Sequence, residues 1–453
     1  MFKNLISKLN SDANLKELLF GSAITFVLKI FGMLLSYITV LIISRKYGAS
    51  GAGVYTLTLN ALISLSIIGA LGLDMALLRF VGQYNKTKNG NDKIKNIYKY
   101  VFYLALPFSL LLSLLLYFFS ETVAENLFKN DIYVQVLRIG AVALPFLTVS
   151  IVNIEFIRGL KKLQISEYLR SVNRPLFIII FLLALSYSDN VVNAIYALIG
   201  AIILSMILSF IPIIKFFNKK KESVDVYKSE VKTKDLLKTT FPMMIVLVIT
   251  SLLGTSSAFF LETYGTSEEV GIFNICFKVA QLISIVLVVV NTISAPKFAE
   301  LYWNNKRVEL QKLLFQSSKL IFIFGSILSV VIILFSGYIL SFFGEEFLQG
   351  KQILAILVLG LLISSFCGSA GIFMGMTGSE KALRNIISVV FVCTLLCLYK
   401  FVPLYGLLGA AIISACSPII LNMSCAFYVY KKSNLITFYM PQFLNNILKS
   451  NKS

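Results

Sequence analysis

The feature that most constrains this chain is a series of twelve long apolar runs separated by short polar segments. A bilayer core needs roughly 20 predominantly apolar residues per crossing helix. The runs fall near 18–43, 54–78, 97–119, 134–157, 172–188 and 191–215, then 240–262, 271–295, 317–342, 353–377, 386–403 and 406–430. The fifth is the shortest and contains Pro175. Composition agrees: 57% of the 453 residues are hydrophobic, 14% are charged, and mean hydropathy is +0.84. Soluble chains carry about a quarter charged residues. The expectation is an all-α integral membrane protein of twelve transmembrane helices.

The net charge of +19 could signal nucleic acid, but the Lys and Arg sit in short segments between apolar runs. No basic face with interleaved aromatics forms a groove, so no nucleic-acid partner is expected. With the N-terminus inside, the segments on the cytoplasmic side hold 33 Lys and Arg and those on the opposite side hold six: Arg45, Lys46, Lys129, Arg138, Lys351 and Lys400. Such a bias in short loops predicts both termini in the cytoplasm. Residues 1–17 place Phe2, Leu5, Ile6 and Leu9 at helical spacing against Lys3, Lys8 and Lys16, which reads as an amphipathic leader on the inner surface. The first apolar run is too long for the core of a cleavable signal.

The text repeats at about half its length. Tyr47-Gly48-Ala49-Ser50 recurs as Tyr264-Gly265-Thr266-Ser267. Gly53-Val54-Tyr55 pairs with Gly271-Ile272-Phe273, and Arg79-Phe80 and Tyr84 pair with Lys297-Phe298 and Tyr302. The spacing predicts two parallel, pseudo-symmetric six-helix bundles, 18–215 and 240–430, joined by a basic linker over 216–239 and followed by a tail over 431–453.

Enzymatic readings find little support. There is no histidine, no Gly-rich phosphate loop and no large loop to host chemistry. The six cysteines lie inside apolar runs, where they read as small soft hydrophobes. Cys393 and Cys397 share a helix face but have no acid or histidine nearby, so no metal or cofactor is expected. A transporter needs only a polar cavity between two halves that rock. Cations inside the membrane point to it, since a mid-helix Lys costs about 2.5–3.5 kcal/mol on insertion scales and faces protein or water. Lys29 lies midway along helix one and Lys278 on helix eight. They read as an anion-binding cavity, or alternatively as side chains that snorkel to headgroups. Asp74 and Arg79 close helix two at the cytoplasmic side, with Asp74 deep enough to meet Lys29. Glu155 and Arg158 are three apart near the inner end of helix four, as a gate or a structural pair. Arg45 and Lys46 read as solvated loop charges or as guides for a departing anion. Pro107, Pro145 and Pro418 are expected to interrupt helices three, four and twelve.

The stretch Ser44-Arg45-Lys46-Tyr47-Gly48 through Gly51, Gly53 and Tyr55, then Gly69, Gly72 and Arg79, resembles the opening of bacterial polysaccharide flippases. These are the O-antigen, Wzx-type group of the multidrug/oligosaccharidyl-lipid/polysaccharide exporter superfamily, which also holds multidrug and toxin extruders and the lipid II flippase. The resemblance implies a V-shaped pair of bundles with helices one, two, seven and eight lining a cationic lumen. Its implied cargo is an undecaprenyl-diphosphate-linked glycan, flipped from inner to outer leaflet of the cell inner membrane for lipopolysaccharide or related polymers. Membrane lipids, H+ or Na+ as coupling ion, and polysaccharide polymerase and chain-length proteins are the partners it suggests. Two alternatives stay open: a cation-coupled multidrug exporter, which Asp74 favours, and a membrane-embedded glycan polymerase.

Overall fold

The computed structural model describes residues 13–84, 90–185, 190–218 and 233–438, and these are helical with no strand among them. Most of the expected leader and linker, and the tail beyond 438, lie outside the described residues. Among the described residues, nine segments are long and apolar enough to cross a membrane. Two of them are pairs of helices joined at a glycine. Ala13–Gly69 divides at Gly48 (φ 68°, ψ −174°) and Glu380–Ser433 at Gly406 (φ 51°, ψ −130°), angles that only glycine adopts cheaply. A further helix over 163–184 is assembled from Leu163–Glu167, a π-turn Tyr168–Asn173 and Arg174–Ala184. With the two pairs counted separately and this composite added, the total is consistent with twelve.

We label them in chain order: α1 (13–47), α2 (49–84), α3 (Gly90–Phe118), α4 (Ile132–Gly159), α5 (163–184), α6 (Val192–Phe217), α7 (Thr233–Tyr264), α8 (267–303), α9 (Arg307–Leu334), α10 (351–376), α11 (380–405) and α12 (407–433). The fifth helix corrects the expectation of 172–188. It starts nine residues earlier, so Pro175 lies inside α5, directly after the π-turn Tyr168–Asn173. The prolines at 107, 145 and 418 do not end their helices. The interruptions come elsewhere: at 70–72 in α2, where Leu71 (φ 54°) and Gly72 (φ 69°) are left-handed, and at 367–369 in α10, where Gly368 (φ 66°) is.

Contacts divide the chain into two compact units, Met1–Tyr47 with Val54–Val248, and Gly48–Gly53 with Ile249–Ser453. In the first unit α4 is central, packing on α3, α6 and the 73–84 part of α2. Leu77, Val81, Val101, Phe156, Ile157 and Phe216 build its core near that end. In the second unit α10 is central, against α8, α9 and the α11–α12 pair. Phe298, Leu310, Leu314, Phe373, Met374 and Cys425 form a comparable cluster. The repeat therefore has a counterpart in packing, since the fourth helix of each half is the one surrounded. Phe80 and Tyr84 border the first cluster, while their sequence partners Phe298 and Tyr302 meet Phe373 at 6.0 and 5.9 Å in the second.

The 48–53 turn is built into the second unit through its own repeat partner. A Cβ on Gly53 would collide with the Ser267 carbonyl oxygen, and one on Gly271 with the Ala49 carbonyl. The contact is reciprocal, each glycine meeting the residue four positions before the other. Glu346 secures the turn by accepting the Ala49 N–H at 2.5 Å. The facing helix begins with a capping box: Thr266 Oγ1 accepts from the Glu269 N–H at 3.2 Å, and Glu269 Oε2 from the Thr266 N–H at 3.0 Å. Thr266→Ala is expected to cost about 1 kcal/mol, read as a lowered melting temperature of the purified protein. An unchanged melting temperature would mean that the cap is not made.

Candidate functional site

In the first unit the charged side chains converge at one end of α4. Glu155, 2% exposed, accepts from Arg170 Nη2 and lies 3.5 Å from Arg158 Nη1. Arg170 reaches it because the π-turn Tyr168–Asn173 widens the helix by a residue, rotating the side chains around it. Asn173, on the same turn, is fully buried, and neither of its amide atoms has a hydrogen-bond partner among the described residues. Asp74 is 6% exposed and its Oδ1 is likewise unpartnered among the described residues. The break at 70–72 turns the 73–84 segment onto α4, so the charges acting on Asp74 are Glu155 and Arg170. Among the described residues Asp74 forms no ion pair with Lys29, contrary to the meeting expected from depth alone. Arg79, farther along the same segment, is exposed.

Two carboxylates so close repel each other unless a cation sits with them, and Arg170 supplies that cation. Glu155→Gln is therefore expected to lower stability by about 1–3 kcal/mol, tempered because both arginines are close to half-exposed. A thermal unfolding curve superimposable on wild type would exclude the role. The sequence shows the pairing of Glu155 with Arg158 but not Arg170, which reads there as a loop charge.

Lys29 is half-buried on α1, three residues before Gly32, where α1 lies against α5 so closely that a Cβ would meet the Ser171 carbonyl. Arg45 is exposed, and Lys46 Nζ lies 5.3 Å from the Tyr47 ring centre. In the second unit Lys278 is half-buried on α8, within the apolar span Ser267–Thr292. Lys29 in one unit and Lys278 in the other thus lie within apolar helices, and an ammonium with water access can hold a phosphate through charge-assisted hydrogen bonds. Among the described residues no group of three or more His, Cys, Asp or Glu could hold a metal ion.

Comparison with known proteins places these features in context. A family model described as polysaccharide biosynthesis protein matches residues 18–302, and one described as MatE matches 242–399. The chain is 28% identical over 284 residues to the capsular polysaccharide biosynthesis protein CapF of Staphylococcus aureus, covering 60% of this chain and 68% of that one. Its fold is similar to that of the lipid II flippase MurJ, with a TM-score of 0.70 at 18% identity over 91% of this chain and 87% of that one. It is also similar to an inward-facing multidrug resistance MATE family transporter, with a TM-score of 0.68 at 14% identity over 90% and 99% of the two chains.

Proposed function

This chain belongs to the polysaccharide biosynthesis protein family, and from that premise we propose that it is a flippase for a lipid-linked polysaccharide precursor. The cargo we assign is an undecaprenyl-diphosphate-linked oligosaccharide, carried from the inner to the outer leaflet of the cytoplasmic membrane by alternating access. Likeness to a capsular polysaccharide biosynthesis protein makes capsule, alongside O-antigen, the polymer to examine first. Both chain ends lie in the cytoplasm in this reading.

One observation carries the proposal: each compact unit holds a half-buried lysine within an apolar helix, Lys29 on α1 and Lys278 on α8. Hydrocarbon rejects a diphosphate, because burying an uncompensated charge is prohibitive. Two ammonium groups along a wet passage offset that charge while the lipid tail stays in the bilayer. Outward movement of an anion runs with an inside-negative potential, worth about 2.3 kcal/mol per charge per 100 mV. Deleting the gene tests the step itself. Lipid-linked repeat units then accumulate on the inner face, whereas accumulation on the outer face would point to a polymerase and sink the flippase reading.

Asp74 supports a second reading, a cation-coupled multidrug exporter. A buried carboxylate beside another acid suits H+ or Na+ better than a phosphate. Drug resistance on overexpression, with surface polysaccharide unchanged by deletion, would favour it.

A further inference from the structure

The paired helices α11 and α12 leave a groove of about 680 Å³ between them. Thr394 and Ser417 hydrogen-bond across the pair at 2.8 Å, and the Gly409 position abuts the Phe401 carbonyl, so the helices run antiparallel. The groove exists because its floor is made of small residues, Cys393, Thr394, Cys397, Gly409, Cys416 and Ser417. Its walls are apolar and exposed, Val389 at 63% and Ile412 at 49%. One of the two hydroxyls donates to the other, and the accepting one donates its own proton to its backbone carbonyl, Val390 or Ile413 at 2.8 or 2.9 Å, so both protons are used within the pair. An empty apolar groove forfeits dispersion contacts along its lining, and a flexible hydrocarbon chain restores them.

The two ends differ. Phe401 and Tyr405 line the end at the α11–α12 turn. The other is lined by Asn385 and Ser424, and beyond it along the same helices come Lys381 and Arg384 on α11 and Lys431 and Lys432 on α12, with Glu380 the acid at that end. None of the four cations is in an ion pair among the described residues. Lys432 donates to Ser379 Oγ at 2.9 Å, which ties the two helices together at this rim. Trp303, the chain's one tryptophan, is 66% exposed and lies beside Gly378 at the same level, where indoles favour the headgroup region.

We propose that this groove binds an anionic phospholipid of the surrounding membrane, one acyl chain along the floor and the phosphate on the basic rim. Charge complementarity selects the ligand class: a dry apolar trough ending in cations fits a hydrocarbon chain with a phosphate at one end. The site is separate from Lys29 and Lys278 and stands whether or not the chain is a flippase.

Trp303 reports on it directly. The full-length protein is placed in mixed micelles, and quenching by phosphatidylglycerol brominated near the glycerol is compared with quenching by the matching phosphatidylcholine. A preference for phosphatidylglycerol of roughly five-fold or more is expected, falling as salt rises. The triple variant K381Q/R384Q/K431Q should bring it below about two-fold. Equal quenching by the two lipids in wild type, or a preference that survives the triple variant, would overturn the proposal. Cys393→Phe, which fills the floor, should lower the phosphatidylglycerol retained in native mass spectra of monodisperse protein. Undiminished retention would place the lipid elsewhere and defeat the proposal. So would protection of Cys393 and Cys416 from a hydrophobic thiol reagent in lipid-free micelles, because the chain itself would then occupy the groove.

Discussion

A Lys29→Ala, Lys278→Ala double variant, expressed at wild-type level in the membrane of a flippase-deficient strain, is expected to restore no surface glycan. Each single variant should retain part of the activity, because one ammonium still offsets some of the diphosphate charge. Lys→Arg at both positions should preserve most of it, since guanidinium also binds phosphate. The expected size follows from the physics of burial. A phosphate losing a charge-assisted partner in a low-dielectric passage loses about 1.5–3 kcal/mol per hydrogen bond, and two such losses exceed a hundred-fold in rate at about 1.4 kcal/mol per decade. Full complementation by the double variant would remove the cationic-passage idea and leave the cargo resting on family likeness. The variants should fold, because both lysines are half-buried and replacing a cation within an apolar helix by Ala relieves an insertion cost.

Gly271→Val should disrupt the 48–53 turn of the second unit. The glycine lies so close to the Ala49 backbone that any Cβ collides with the carbonyl oxygen, and the obstructing atom is backbone rather than a movable side-chain end. Overpacking of this kind costs about 1–3 kcal/mol, and more where backbone must shift. Gly53→Val meets the reciprocal clash with Ser267 and should behave alike. A Cβ on Gly254 would meet nothing within 4 Å, so Gly254→Ala should be neutral or stabilising, since Ala is the better helix former by about 1 kcal/mol. Fluorescence-detected chromatography after graded heating would separate the three. A Gly271→Val protein as stable as Gly254→Ala would show that the 48–53 turn does not rest on α8.

Much of the architecture could be read in one dimension. Whether a run of about 20 residues avoids charge is a property of the text, and the glycine-tyrosine signature at 47–55 and 264–273 carried the repeat. The readings that went astray involved side chains whose partners are distant in sequence. Arg170 and Arg174 look like loop charges because polarity ends the apolar run, whereas helix geometry is indifferent to polarity and α5 begins at Leu163. Glu155, fifteen residues away, is what makes Arg170 tolerable there. Depth alone pairs Asp74 with Lys29, but the left-handed backbone at Leu71 and Gly72 redirects its segment onto α4. The prolines at 107, 145 and 418 lie within helices that continue past them, while α2 breaks at Leu71 and Gly72.

Chain order and residue chemistry alone determined that this protein is an all-helical membrane protein with about twelve crossings, because hydrocarbon imposes length and polarity on each segment independently. Which buried charges meet, where helices part, and that α11 and α12 leave an open trough were decided only by tertiary structure. Those outcomes depend on the rotation of one helix against another, and a few degrees set by a π-turn or a left-handed glycine change them without altering the hydropathy of any run.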